Sequence, residues 1–358
     1  MKIIFKNDNQ ANFLTTLKKR VDHYFKSNNL SKNANSAMYV KSAVMFSIYL
    51  FLYLSILSNY FNNFVLILLF AGLGVMKGLL GFTIVHDALH GAYSTRPAIN
   101  KLMGYLFDLN GTSSFVWKHT HNGIHHTYTN IPGHDGDIDK AILLRLSPTD
   151  KLYSFHYYQN WYAPILYSFL GFNWIFYTDY VLFIEQMKEG KTNWKDVALF
   201  FGIKVVNFVL FIVLPLLLID RSIWIILLGY LCLQFAGSVT ISIVFQLAHV
   251  VENVDFPEAS EEGIIHNNWA VHELMTTSNF ATHNDFLTFV LGGLNFQVEH
   301  HLFPNICHIH YPKIQSIVRE TAKEFNVPYH ENPTLIGAIV SHFRKLKELG
   351  RSQGTLRD

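Results

Sequence analysis

The stretch FVLILLFAGLGVMKGLLGFTIVHDALH, Phe64–His90, decides how the rest of the chain is read. From Phe64 to Val85 it carries one charge, Lys77, over the roughly 20 apolar residues that a bilayer-spanning helix needs. If the helix continues past Val85, His86 and His90 stand four apart on one face. An apolar span running straight into paired imidazoles couples a membrane segment to a candidate metal site.

Three further runs have the length and polarity of spans: Ala43–Ser58 with its flanks, Val197–Ile219 and Ile223–Leu247. The links at Asn59–Asn63 and Asp220–Ser222 are too short for domains, so the spans pair as two helical hairpins. Residues 1–42 hold Lys2, Lys6, Lys18, Lys19, Arg20, Lys26, Lys32 and Lys41, whereas the first link holds no Lys or Arg. The positive-inside bias then puts both termini and both large polar segments in the cytoplasm. The expected organisation is a cytoplasmic segment 1–42, a hairpin 43–85, a cytoplasmic segment 86–196, a second hairpin 197–247 and a cytoplasmic segment 248–358. The fold class is all-α integral membrane, with four transmembrane helices and a cytoplasmic helical cap. Trp161–Ile184 is apolar but interrupted by Pro164, Asn173 and Asp179; it reads as an interfacial helix, with a fifth span as the alternative. Lys77 is expected to snorkel to the interface, and Gly74–Gly78 (GVMKG) matches a close helix-packing pattern.

Composition agrees with this class. Of 358 residues, 50% are hydrophobic and 15% charged, and the net charge of +2 offers nucleic acid little. Cys232 and Cys307 give neither a disulfide framework nor a zinc ribbon and fit a reducing compartment. The polar, lysine-rich start does not resemble a signal peptide.

Nineteen histidines are many for this length, and they cluster. HTHNGIHHTYTN, His119–Asn130, sets His121 and His125 four apart with His126 beside them. QVEHH sets His300 and His301 three and four residues after Gln297, and His249 ends the fourth span. A lone pair at this spacing is usually capped or solvated; three clusters and a fourth histidine assigned to one membrane face point instead to metal. Imidazole suits zinc, copper, iron and nickel alike. One zinc is satisfied by four ligands, so the eight histidines His86, His90, His121, His125, His126, His249, His300 and His301 suggest two metals. The Glu-x-x-His spacing of soluble di-iron bundles is absent. His119 would point elsewhere on a helix. Asp87 and Glu299 could orient imidazoles or be solvated. Asp135, Asp137 and Asp139 could cap a helix, accept from histidine N–H groups or be solvated. Trp117, Trp161 and Trp269 could line an acyl channel or anchor at the interface, and His156, His266, His272 and His283 read as structural.

HDALH, HNGIHH and QVEHH, in this order and spacing, resemble the three histidine boxes of the membrane-bound fatty acid desaturases. HDALHGAYS, WKHTHNGIHHTYTNIPGHDGDID, NWAVHELMTTSNF and LGGLNFQVEHHLFP are similar to the front-end, linoleoyl-CoA-desaturase-like branch, and the likeness runs from about residue 65 to 330. It implies a histidine-rich di-iron site with two iron ions held by His86, His90, His121, His125, His126, His300 and His301, with His249 as the extra ligand. Gln297 stands where related acyl-CoA desaturases have histidine. It also implies an O2-dependent enzyme that removes two hydrogens from a long-chain acyl-CoA or acyl-lipid using external electrons. No His-Pro-Gly-Gly haem motif is present, so the expected donor is a separate cytochrome b5 or ferredoxin. Two rivals remain at this point: a hydroxylase on the same chassis, and a membrane metal transporter, whose ligands should lie nearer mid-membrane.

Overall fold

The structure is a computed structural model that describes residues 3–6, 10, 12–138 and 142–352; Lys2 and Asp139 lie outside them. Four helices among these are long and apolar enough to cross a membrane: Ser36–Leu57, Asn63–Leu89, Trp194–Leu218 and Ile223–His249. Each overlaps one expected span. The second extends into the first histidine box, ending at Leu89 with His90 as its C-cap, and the fourth extends to His249. The chain is therefore a mostly helical, multi-pass membrane protein.

The described residues fall into two compact units, one bounded by Met1–Ala34, His119–Ala163 and Val244–Asp358, the other by Asn35–Lys118 and Pro164–Ile243. In the second unit the long helices start where asparagine can cap them. The side chains of Asn35 and Asn62 accept from the N–H groups of Met38 and Val65 at 3.2 and 3.0 Å, partners that the first turn of a helix otherwise lacks. The two short links bond to each other. Asn59, with φ 58°, donates to the Leu218 carbonyl at 2.6 Å and accepts from the Asp220 N–H at 2.7 Å.

Helices Asn63–Leu89 and Ile223–His249 leave this shared end in parallel and touch through glycine. A Cβ on Gly74 would stand 2.0 Å from the Leu233 carbonyl oxygen, one on Gly237 would stand 2.8 Å from the Gly74 oxygen, and one on Gly229 would strike the Phe70 ring. The pattern at Gly74 thus marks backbone-to-backbone packing, the arrangement small residues permit between apolar helices. Leu66, Phe70, Leu73, Phe211, Ile226 and Leu233 fill the space around it. Lys77 holds Nζ 4.9 Å from the centre of the Phe211 ring, within the range of a cation–π contact. Asp179, one of the polar interruptions noted in Trp161–Ile184, accepts from Lys204 Nζ at 2.6 Å and from the Ser113 N–H at 2.8 Å. That stretch folds as successive helical pieces, Gln159–Ser168, Leu170–Asn173, Trp174–Thr178 and Asp179–Lys188.

The first unit is built on the amphipathic helix Phe13–Ser27. Its stripe of Phe13, Leu17, Val21 and Phe25 packs with Leu274, Val298, Leu302, Ile314 and Val318, so the third histidine box sits on a dry floor. An all-helical expectation needs one correction here. Ile4–Phe5 pairs with Ile264–Ile265, and Ser278–Phe280 with His330–Asn332, both parallel. Pairing gives the backbone groups of these extended segments their partners, and in Ser278–Phe280, buried throughout, it satisfies groups that burial takes from water.

Gly74→Val is expected to lower stability by about 1–3 kcal/mol through overpacking. Gly202→Val, where a Cβ meets nothing within 4 Å, should stay within about 0.5 kcal/mol of the parent. Thermal unfolding midpoints in detergent check both, and equal effects would remove the close-approach argument.

Candidate metal centre

In the second unit the helix widens just before the first box. Gly81–Val85 forms a π-type turn, and His86–Leu89 resumes the α-helix. The His86 and His90 rings lie 4.7 Å apart, each 5.7 Å from the Trp117 ring. Trp117 packs with Val85 and Leu89, so it walls the first box. Asp87 is buried, which removes its solvated alternative.

In the first unit the second box also departs from the α-helix. Lys118–His125 is π-helical, and His126–Tyr128 follows as α-helix. Bonding from i to i+5 brings residues five apart over one another, which α-helical spacing alone would not do. His121 and His126 accordingly bring their Nε2 atoms to 3.2 Å, while the His121 and His125 rings stack at 5.2 Å. The third box is the short buried helix Gln297–Leu302. His126 reaches both of its histidines, with ring centres 4.6 Å from His300 and 4.4 Å from His301.

Two all-histidine triads emerge among the described residues of this unit. His125, His249 and His301 each offer a ring nitrogen within 4.8 Å of the other two, and so do His126, His300 and His301. His301 belongs to both. The donor set fits a metal because the other ring nitrogen of each member of the first triad is held. His125 Nδ1 lies 3.1 Å from Asp135 Oδ2, His301 Nδ1 lies 2.8 Å from Glu273 Oε2, and His249 Nδ1 lies 3.3 Å from the Thr276 carbonyl. An imidazole that donates Nδ1–H keeps the Nε2 lone pair for a cation, and such acceptors fix ring orientation and ligand basicity.

The acceptors are themselves held. Asp135 is buried and accepts from the Asn130 and Asp137 N–H groups at 2.9 and 3.0 Å. Glu273 is buried and accepts from the Thr129 hydroxyl at 2.9 Å, and the same hydroxyl lies 2.7 Å from the His125 carbonyl. Asn130, with φ 55°, donates through Nδ2 to the carbonyls of His249 and Asp255 at 2.7 and 3.2 Å. Burial opposes charge on His125, but Asp135 and Asp137 outweigh it and raise that group to about 9. A cation bound there displaces a proton. Burial pushes the Glu273 carboxyl well above its ordinary range, against the donation from Thr129.

The other expectations divide. Asp135 takes the role of accepting from a histidine, and Asp137 lies 3.5 Å from His125 Nδ1. Glu299 does neither thing expected of it. It is buried, and it accepts from Asn279 Nδ2 and from the Tyr329 hydroxyl, both at 2.8 Å. Alternate residues of so short a helix point to different sides, so Glu299 braces the box from behind. Burial, partly offset by those two donors, raises its carboxyl to about 7. His119 is half-buried and belongs to none of the metal-capable groups found among the described residues. His156 bonds the Ile142 carbonyl at 2.9 Å, His272 packs against Phe5 with ring centres 5.1 Å apart, and His266 and His283 are exposed. Trp269 donates to the His126 carbonyl at 3.1 Å. Thr129, Asn130 and Glu273 were not singled out from sequence; the one available signal was a Glu within the apolar helix Trp269–Thr276.

Histidine clusters able to hold metal in a multi-pass membrane chain define a narrow class. The family model for fatty acid desaturases matches residues 62–333, an interval that contains all three boxes. The chain is 36% identical over 353 residues to the sn-1 linoleoyl-lipid 6-desaturase of Synechocystis sp., covering 95% of this chain and 96% of that protein. It is 34% identical to the Arthrospira platensis protein of the same name, covering 94% and 92%. It is 35% identical to the acyl-lipid (8-3)-desaturase of Physcomitrium patens, covering 95% and 72%. The chain belongs to the fatty acid desaturase family. It is accordingly an oxidoreductase that desaturates fatty acyl chains, within a metal-dependent family.

Glu273→Gln keeps the size of the side chain but weakens the acceptor facing His301. Metal affinity should fall about 10–100-fold, read as metal content after dialysis against a graded chelator. An unchanged affinity would remove Glu273 from the anchoring set.

Proposed function

We propose that this chain is a front-end acyl-lipid desaturase that introduces a cis double bond between an existing double bond and the carboxyl end of a long-chain acyl group. The observation that carries the metal part of this reading is the trio of imidazoles His125, His249 and His301 with their Nδ1 atoms held by Asp135, the Thr276 carbonyl and Glu273. The relatives' names, which specify linoleoyl-lipid and acyl-lipid, favour a lipid-borne acyl chain over an acyl-CoA.

In this proposal His86, His90, His121, His125, His126, His249, His300 and His301 hold two iron ions. Gln297 is the ninth candidate; it is buried, and its Nε2 has no hydrogen-bond partner among the described residues. Iron bound there would supply the O2-dependent oxidation. Two hydrogens leave adjacent acyl carbons, and with two external electrons and two protons they reduce O2 to two waters. The chain's own share is geometric. Asp135 and Glu273 keep Nδ1 protonated so that neutral imidazoles present Nε2, and burial of the triads keeps bulk water from the reacting atoms. A separate cytochrome b5 or ferredoxin delivers the electrons.

The proposed topology keeps two hairpins, 43–85 and 197–247, with the segments 1–42, 86–196 and 248–358 cytoplasmic and an interfacial helix at Trp161–Ile184. The hydrogen bonds between the two short links and the lysine-rich start support it.

Expression in a host that lacks polyunsaturated fatty acids, fed with linoleate, tests the activity. Gas chromatography–mass spectrometry should show a lipid acyl chain lighter by two hydrogens, its new double bond on the carboxyl side of the existing ones. Hydroxy acids without new unsaturation would sink the proposal, as would purified protein that holds one zinc and no iron. His301→Ala should abolish the product while the protein still reaches the membrane fraction, since that residue belongs to both triads. Near-normal product from this variant would exclude it as an essential ligand.

A further inference from the structure

The histidine-bearing first unit carries an exposed apolar face that no part of the metal centre uses. Ile142 and Leu143 are exposed, and so are Leu152, Tyr153, Phe155, Tyr157, Tyr158 and Trp161; Ile142 is 73% accessible and Trp161 77%. Two bonds tie the first pair to the rest. His156 Nε2 donates to the Ile142 carbonyl at 2.9 Å, and the Tyr162 hydroxyl donates to the Leu143 carbonyl at 2.8 Å. The face is also rigidly backed. Gln159 is buried and bonds the backbone of Arg145 on both sides, at 2.8 and 3.0 Å, and the Leu346 carbonyl at 2.7 Å. Exposed aromatics on a firm support are a built surface, and a contiguous apolar patch of this kind marks a contact.

Its chemistry selects the occupant. Tyrosine and tryptophan, with apolar bodies and polar tips, are the residues of a membrane–water interface. Two cations sit among them, with Lys151 Nζ 5.3 Å from the Tyr153 ring centre and the Arg351 guanidinium 4.1 Å from that of Tyr157. Both are placed to meet anionic headgroups while their stems lie on apolar surface. The face also runs on into the next helix. Trp161 belongs to helix Gln159–Ser168, whose next turn exposes Ile165, in a protein with four candidate spans.

We propose that Ile142–Leu143 and Leu152–Trp161 form a bilayer-contacting apron of the histidine-bearing unit, seated among lipid headgroups with Lys151 and Arg351 on anionic phosphates. The apron lies before and beside the start of the proposed interfacial helix. It rests on the reading of the chain as membrane-embedded and extends that contact to the unit that holds His121 through His126, His300 and His301.

Trp161 is itself the probe. Full-length protein is reconstituted in vesicles of phosphatidylcholine and phosphatidylglycerol brominated near the headgroup, and its emission is compared with that of Trp161→Phe. The Trp161 component should lose at least half its intensity to the bromolipid and resist iodide added in water. Quenching by iodide and not by bromolipid would overturn the proposal. A Trp161 shielded from both, with chemical crosslinks joining two copies through this face, would assign it to a second copy of the chain and also overturn it. Trp224→Phe separates this from the wider reading: an exposed tryptophan of the fourth span that escapes bromolipid would refute membrane embedding itself. Lys151→Glu with Arg351→Glu should at least halve the phosphatidylglycerol enrichment among co-purified lipids, and unchanged enrichment would remove the two cations from the apron.

Discussion

The first triad depends on one interaction: each of its imidazoles keeps Nε2 for a cation because an acceptor occupies its Nδ1. A ring free at Nδ1 can swap tautomer or rotate, and a cluster of such rings holds no geometry. In the first unit the interaction is made by three different acceptors, a carboxylate from the loop after the second box, a carboxylate from a separate helix and a main-chain carbonyl. Each sits in a region stripped of water, where a hydrogen bond is stronger and an unpaired group costs more. The buried amphipathic stripe and the bonds of Thr129 and Asn130 follow from that need, because the acceptors must be held before they can hold anything.

How much of this the sequence disclosed depends on what each feature needs. Spans show as long apolar runs because lipid leaves the backbone no partner but its own helix, and all four were legible to within a few residues. The histidine clusters were legible because box order and spacing survive in one dimension. The anchors were not. Asp135 was one of three carboxylates in a loop with nothing to rank them, Glu273 lies 28 residues before the ring it holds, and a carbonyl such as that of Thr276 has no side-chain signature. Glu299, inside a box and therefore suspect, turned out to brace the helix from its far side.

Two further misses share a cause. The π-helical turn through the second box was invisible, since HNGIHH satisfies an α-helical reading equally well; only the meeting of His121 and His126 distinguishes the two. The parallel strand pairs are two and three residues long, too short for an alternation to register against a helical background. In contrast, the close approach at Gly74 was suggested by a common pattern and then fixed by geometry, because a carbonyl 2.0 Å from a would-be Cβ leaves no substitute for glycine.

Asn130 carries a consequence for the order in which the protein is made. Its amide reaches the carbonyls of His249 and Asp255, 119 and 125 residues later in the chain. The adjacent Thr129 bonds Glu273, 144 residues later. The second box therefore leaves the ribosome with Asp135 close behind it, but long before Glu273 and the His249–Asp255 segment exist to fix it, and the third box comes later still. Domains generally fold as units as they emerge during synthesis, but this centre has to wait for its carboxyl-terminal third. Assembly of the first triad is then a late event, after the span that ends at His249 has been threaded, and a chain cut short of Glu273 leaves Asp135 as the one anchor of that triad already made.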